Sequence, residues 1–143
     1  MRALFGFVFV ATLSACSTQT FTPARDESLA AALVGVWCNS EDGGKSCWAF
    51  DEFSAAGYFR ACGKHEDERY GFSGGGKFTV NGQRMCYVVD NATPNFWLGV
   101  GGTYCTDILL IGTERHRYRD IDTKREFELI RVPATRKYCP ATR

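Results

Sequence analysis

From residue 33 onward the chain is cut at short intervals by clusters of Gly, Asn, Asp, Ser and Pro, and between the cuts apolar and polar residues alternate. Period-two runs bounded by turn formers are half-buried strands, and they leave no room for a long helix. The turns fall at 39–44, 54–57, 74–76, Asn81-Gly82, 91–95, Gly101-Gly102, 112–114 and 122–124. Asn81-Gly82 is the strongest short hairpin signal among them. The Gly74-Gly75-Gly76 run is expected to break one strand into two, and 96–100 reads as a further apolar run. All four prolines lie outside the proposed strands, as ladder hydrogen bonding requires. The result is about eight to ten short strands, the pattern of an up-and-down barrel or a sandwich.

The first residues do not belong to that pattern. Met1-Arg2 forms a short positive start, and residues 3–12 are mostly apolar but too short to span a bilayer. Leu13-Ser14-Ala15-Cys16 then resembles the lipobox of bacterial lipoproteins, in which cleavage precedes a Cys that carries lipid. That resemblance implies a signal peptide over 1–15 and a membrane anchor on Cys16. Ser17, rather than Asp, after the Cys implies an outer-membrane address facing the periplasm. Residues 16–32 read as a polar tether ending in a short helical turn, capped by Asp26 or Ser28, and 33–143 as the barrel domain.

Charge and cysteine usage narrow the function. The chain carries 17 basic and 16 acidic residues, and loss of Arg2 with the leader makes it neutral, which argues against nucleic acid as a partner. With Cys16 used as an anchor, Cys38, Cys47, Cys62, Cys86, Cys105 and Cys139 remain, an even set that reads as three disulfides in an exported chain. The expected pairs are Cys47–Cys62 about the turn at 54–55, Cys86–Cys105 about 95–96, and Cys38–Cys139 by remainder, joining the tail to the first strand. No Cys/His cluster has metal spacing, so neither a metal nor a cofactor is expected.

The run Leu33-Val-Gly-Val-Trp-Cys38 starts the strands with Gly35 and Trp37 on one face. In the last strand Phe127, Leu129 and Arg131 share a face opposite Glu126 and Glu128. An early Gly-x-Trp, alternating strands with short turns, and an Arg near the end resemble the lipocalin-type barrels. The resemblance implies an antiparallel barrel of about eight strands, closed at one end by Trp37 with Arg131 packed over it. Small bacterial periplasmic protease inhibitors have a similar barrel with a Gly-x-Trp start.

Candidates for chemistry are few. His65 lies in a charged loop and His116 between arginines on a strand, and neither sits in a triad or metal motif. Asp51-Glu52 and Asp67-Glu68 read as turn residues, and the glycine run lacks the Lys-Ser/Thr of a phosphate loop. Arg115, Arg117 and Arg119 form a basic stripe on one face of a strand, either paired across the sheet or offered to an anionic partner. Phe96-Trp97 is either core or an exposed aromatic anchor. The chain therefore reads as a binding module, not an enzyme, taking a protein or a small apolar ligand. The alternatives are an inhibitor of a secreted or periplasmic hydrolase, acting through residues 17–32, and a structural envelope lipoprotein. Replacing Cys16 by Ser is expected to abolish labelling by radioactive palmitate and to move the protein to the soluble fraction; undiminished labelling rejects the anchor.

Overall fold

Eight antiparallel strands, each hydrogen-bonded to the next and the last to the first, form a closed barrel in the computed structural model. The structure describes residues 26–64, 71–135 and 138–139; Cys16, most of the tether and His65 lie outside them. A single helix, α1 (Asp26–Leu33), precedes β1 (Gly35–Asn39), β2 (Ala49–Phe53), β3 (Tyr58–Gly63), β4 (Phe72–Asn81), β5 (Arg84–Ala92), β6 (Thr103–Ile111), β7 (Arg115–Asp120) and β8 (Glu126–Val132). Alternation fills the inside: Trp37, Phe53, Phe59, Phe78, Met85, Val89, Ile108 and Leu129 are buried in one cluster. This is the all-β, up-and-down antiparallel barrel of eight strands that the lipocalin-type resemblance implies, stapled by three disulfides.

Several boundaries differ from the sequence reading. Gly74-Gly75-Gly76 does not break a strand; β4 runs through it, with a bulge between Gly75 and Gly76. The glycines are needed there for space, since a Cβ on Gly74 would collide with the Phe96 ring and one on Gly76 with the Val88 carbonyl. The hairpin loop falls on Gly82 and Gln83, one residue late, with Gly82 in the left-handed region at φ 60°. Residues 96–100 form a loop; alternation puts Leu110 on the same inward face as Tyr104 and Ile108, but a second bulge in β6 turns it outward.

Two expected disulfides are corrected. Cys86–Cys105 forms between directly opposed residues of β5 and β6, but the other pairs are Cys38–Cys47 and Cys62–Cys139. Alternation of Trp48 and Phe50 against Cys47 and Ala49 predicts a strand over 45–50, in which Cys47 faces Cys62. In the structure β2 starts at Ala49 and Phe50 opposes Cys62, leaving Cys47 in the loop that folds back over Cys38. That loop covers the outside of β1, and the tail docks on β2 and β3 instead. There Tyr138 packs on Phe50 at 4.4 Å and the Cys139 amide donates to Glu52 at 3.2 Å.

The closed end is built from the carbonyls at the end of α1. The last C=O groups of a helix have no intrahelical partner. Here Val34 N–H donates to Ala31, Arg131 Nη2 to Ala32 at 2.7 Å, the Trp37 indole to Leu33 at 2.7 Å, and Arg131 Nη1 to Val34 at 2.8 Å. The guanidinium lies over the Trp37 ring, 4.1 Å from its centroid, a cation–π contact that also places positive charge at the negative end of the helix. Trp37 is fully buried, so Trp37→Ala is expected to cost about 3–5 kcal/mol in urea denaturation; a loss below about 1 kcal/mol excludes the indole as the end plug.

Candidate functional site

Opposite α1, the barrel is open. Its interior holds a cavity of about 60 Å³ lined by Asp51, Phe53, Phe59, Ala61, Met85, Tyr87, Phe96, Trp97, Leu98, His116, Tyr118 and Leu129. Asp51, Tyr87, Trp97, Leu98 and Tyr118 also line a wider bowl of about 310 Å³, completed by Asn39, Trp48, Tyr104, Asp120, Thr123, Arg125 and Phe127. The two spaces therefore share a wall. The bowl is formed where β1, β2, β5, β6, β7 and β8 end and by the 93–102 loop, so eight-fold closure at one end and loop length at the other decide its position.

Polar groups in this apolar tube are few and clearly placed. Asp51 alternates with Ala49 and Phe53 and so points inward, where Asn39 Nδ2 donates to its carboxylate at 3.1 Å. Removal from water pushes its pKa up to about 6, against the pull of the Asn39 bond. His116 lies fully buried on β7, edge-on to Trp37 at 5.5 Å, and neither ring nitrogen has a hydrogen-bond partner. Burial and the Arg131 charge push its pKa down to about 4, so the ring is neutral at physiological pH. The Tyr87 and Tyr118 phenols are held well above their ordinary value, first by burial and then by the negative charges of Asp51 and Asp120.

The residues singled out from sequence separate into three places. Gly35, Trp37 and Arg131 meet at the closed end; Gly35, at φ 137°, leaves the space that the guanidinium fills. Arg115, Arg117 and Arg119 lie on the outer face, where Arg115 pairs with Glu128 at 2.7 Å and Arg119 with Glu126 at 2.6 Å, with Arg117 3.8 Å from Glu126. Exposed pairs of this sort contribute little. Phe96 is buried on Gly74, whereas Trp97 is 54 % exposed at the cavity rim. Asp51 reads from the sequence as a turn residue, His116 as a strand residue outside any triad or metal motif, and Tyr87 and Tyr118 belong to no motif, so nothing in the sequence marks the four as one site. Among the described residues no three His, Cys, Asp or Glu side chains come together to hold a metal ion.

Fold and cavity together define a lipocalin-like β-barrel. A lipocalin-like protein from Bacteroides uniformis superposes with a TM-score of 0.55 at 14 % identity, over 71 % of this chain and 99 % of that one. An uncharacterized protein from Bacteroides eggerthii gives 0.51, also at 14 % identity, over 70 % and 99 %. No protein-family model matches the sequence. No curated protein matches it either.

Asp51 and His116 have opposite effects on stability as pH changes. Between pH about 4 and 6 the folded protein holds a proton on Asp51 that the unfolded chain has lost, so this group's contribution falls as pH rises. Between about 4 and 6.5 the unfolded chain protonates His116 and the folded one does not, so that contribution rises with pH. The opposed slopes nearly cancel. Asp51→Asn is expected to stabilise the protein at neutral pH by up to about 3 kcal/mol and to leave stability climbing from pH 4 to 6.5. Urea midpoints measured across that range check this, and parallel profiles for the two proteins reject it.

Proposed function

We propose that this chain is a lipid-anchored binding module of the bacterial outer membrane, facing the periplasm, that holds a small, largely apolar molecule in its barrel. The observation that carries the reading is the interior cavity that shares its wall with a bowl of aromatic side chains at the end away from Trp37 and Arg131. A barrel of eight strands can be filled by side chains or hold one small ligand. The 17–32 segment serves the inhibitor reading less well, because its described part is helical and Leu29 pins it to the barrel. Attachment through Cys16 rests on the lipobox resemblance and would present the bowl to the periplasm on a tether.

Leu98 lines both spaces without belonging to the fully buried core, so Leu98→Trp should obstruct the passage and leave the fold intact. N-phenyl-1-naphthylamine, an uncharged fluorescent probe, is expected to bind the wild-type protein and to bind the variant at least about tenfold more weakly, with thermal unfolding unchanged. No binding to the wild type, or equal binding to both, rejects the reading.

A further inference from the structure

The inside of the barrel treats one acid differently from those outside. On the outer face Asp107, Glu126 and Glu128 each meet an arginine. Asp51 receives the Asn39 hydrogen bond and, among the described residues, pairs with no cation. Arg131 does not serve it, because its guanidinium is committed to the Ala32 and Val34 carbonyls and to the Trp37 face. The same cavity contains His116, whose two buried ring nitrogens find no partner. A carboxylate half-buried in an apolar wall without a counter-charge and a buried imidazole without a hydrogen bond both cost stability unless something enters to satisfy them.

We propose that the cavity receives the protonated amine head of a small amphipathic molecule, with Asp51 as its counter-ion, while the aromatic bowl holds the apolar body. This deepens the binding-module reading and rests on it. The neutral His116 ring offers a lone pair to an ammonium N–H, and the Tyr87 and Tyr118 rings offer π faces to the cation. Asp51, at about 6, is mostly ionised at neutral pH, and Asp120 adds negative charge at the rim. Among the described residues that line the bowl, Arg125 is the one cation, and it lies against Phe127, 5.4 Å from the ring centroid.

Size sets the shape of the ligand. A water needs about 10–15 Å³ on the scale that gives the inner cavity about 60 Å³, so that space takes roughly four to six non-hydrogen atoms. An ammonium group on a short alkyl chain fits there. The bowl, at about 310 Å³ and lined by Trp48, Trp97, Tyr104 and Phe127, has room for an aromatic ring. The structure thus fits an arylalkylamine better than a long-chain lipid or a metal ion.

Calorimetric titration at pH 7 with three molecules of matched shape tests this: 2-phenylethylamine, 2-phenylethanol and phenylacetate. The amine is expected to bind at least tenfold more tightly than the alcohol, about 1.4 kcal/mol, and phenylacetate to bind weakest. In Asp51→Asn the preference for amine over alcohol should vanish, the ratio of the two affinities falling to about one. Equal affinity for amine and alcohol in the wild type overturns the proposal even if the naphthylamine probe binds, and the binding-module reading then survives alone. Failure of all four molecules to bind overturns both. An amine preference that persists in Asp51→Asn removes Asp51 as the counter-ion.

Discussion

The barrel depends on one arginine. Arg131 reaches from β8 across the start of β1, stacks on Trp37 and donates to two carbonyls at the end of α1, so a single side chain ties the first strand, the last strand and the helix together. The planar fork suits this task; an ammonium could not meet both carbonyls and lie flat on the indole. Gly35 makes the contact sterically possible, because any Cβ there would occupy the guanidinium's position and the backbone adopts φ 137°. Side chains thus close this end. Among the described residues, the bowl lies at the opposite end, where the strands stop at aromatic and acidic residues.

Charge is distributed to match. Exposed ion pairs on the outer face run between neighbouring strands β5–β6 and β7–β8 and contribute modestly to register. Inside, one carboxylate is held where its ionised form is disfavoured and one imidazole where its charged form is disfavoured. Neither arrangement helps folding. An apolar residue at position 51 or 116 would fill the barrel more cheaply, which is why two such groups sharing a cavity point to a ligand and not to the fold. Structural likeness to a lipocalin-like protein agrees with the barrel, and the chemistry of its contents comes from this chain's own residues.

Much of this was legible in the sequence because a strand's faces follow from counting by two. Trp37, Met85, Val89, Ile108 and Leu129 all fall inside as alternation requires. What failed were features set by boundaries and bulges. Drawing β2 over 45–50 instead of 49–53 sent Asp51 to a turn, although Ala49, Asp51 and Phe53 already alternate as an inward face. The same shift misassigned Cys47, and with it two disulfides. Leu110 followed the parity of β6 until a bulge reversed it. The glycine run resembled a break because space needed for the Phe96 ring and for a bulge leaves no trace in the sequence beyond the glycines themselves.

The corrected disulfides bear on the cavity directly. Cys38–Cys47 and Cys62–Cys139 lie behind β1 and β3, on either side of the strand that carries Asp51, and Cys86 adjoins Tyr87 on β5. A partly empty barrel forgoes the packing that would otherwise fix its walls, and the loss grows with the volume left open. Covalent ties on the outer surface compensate without occupying the interior. The 77-residue separation of Cys62 and Cys139 alone corresponds to about 4–5 kcal/mol in the chain-entropy model. Because these ties hold the two neighbours of the strand bearing Asp51 and the strand bearing Tyr87, they also limit the movement of the cavity wall, and a pre-set pocket loses less affinity to ordering. The disulfides thus stabilise the barrel and keep its binding surface in place by the same constraint.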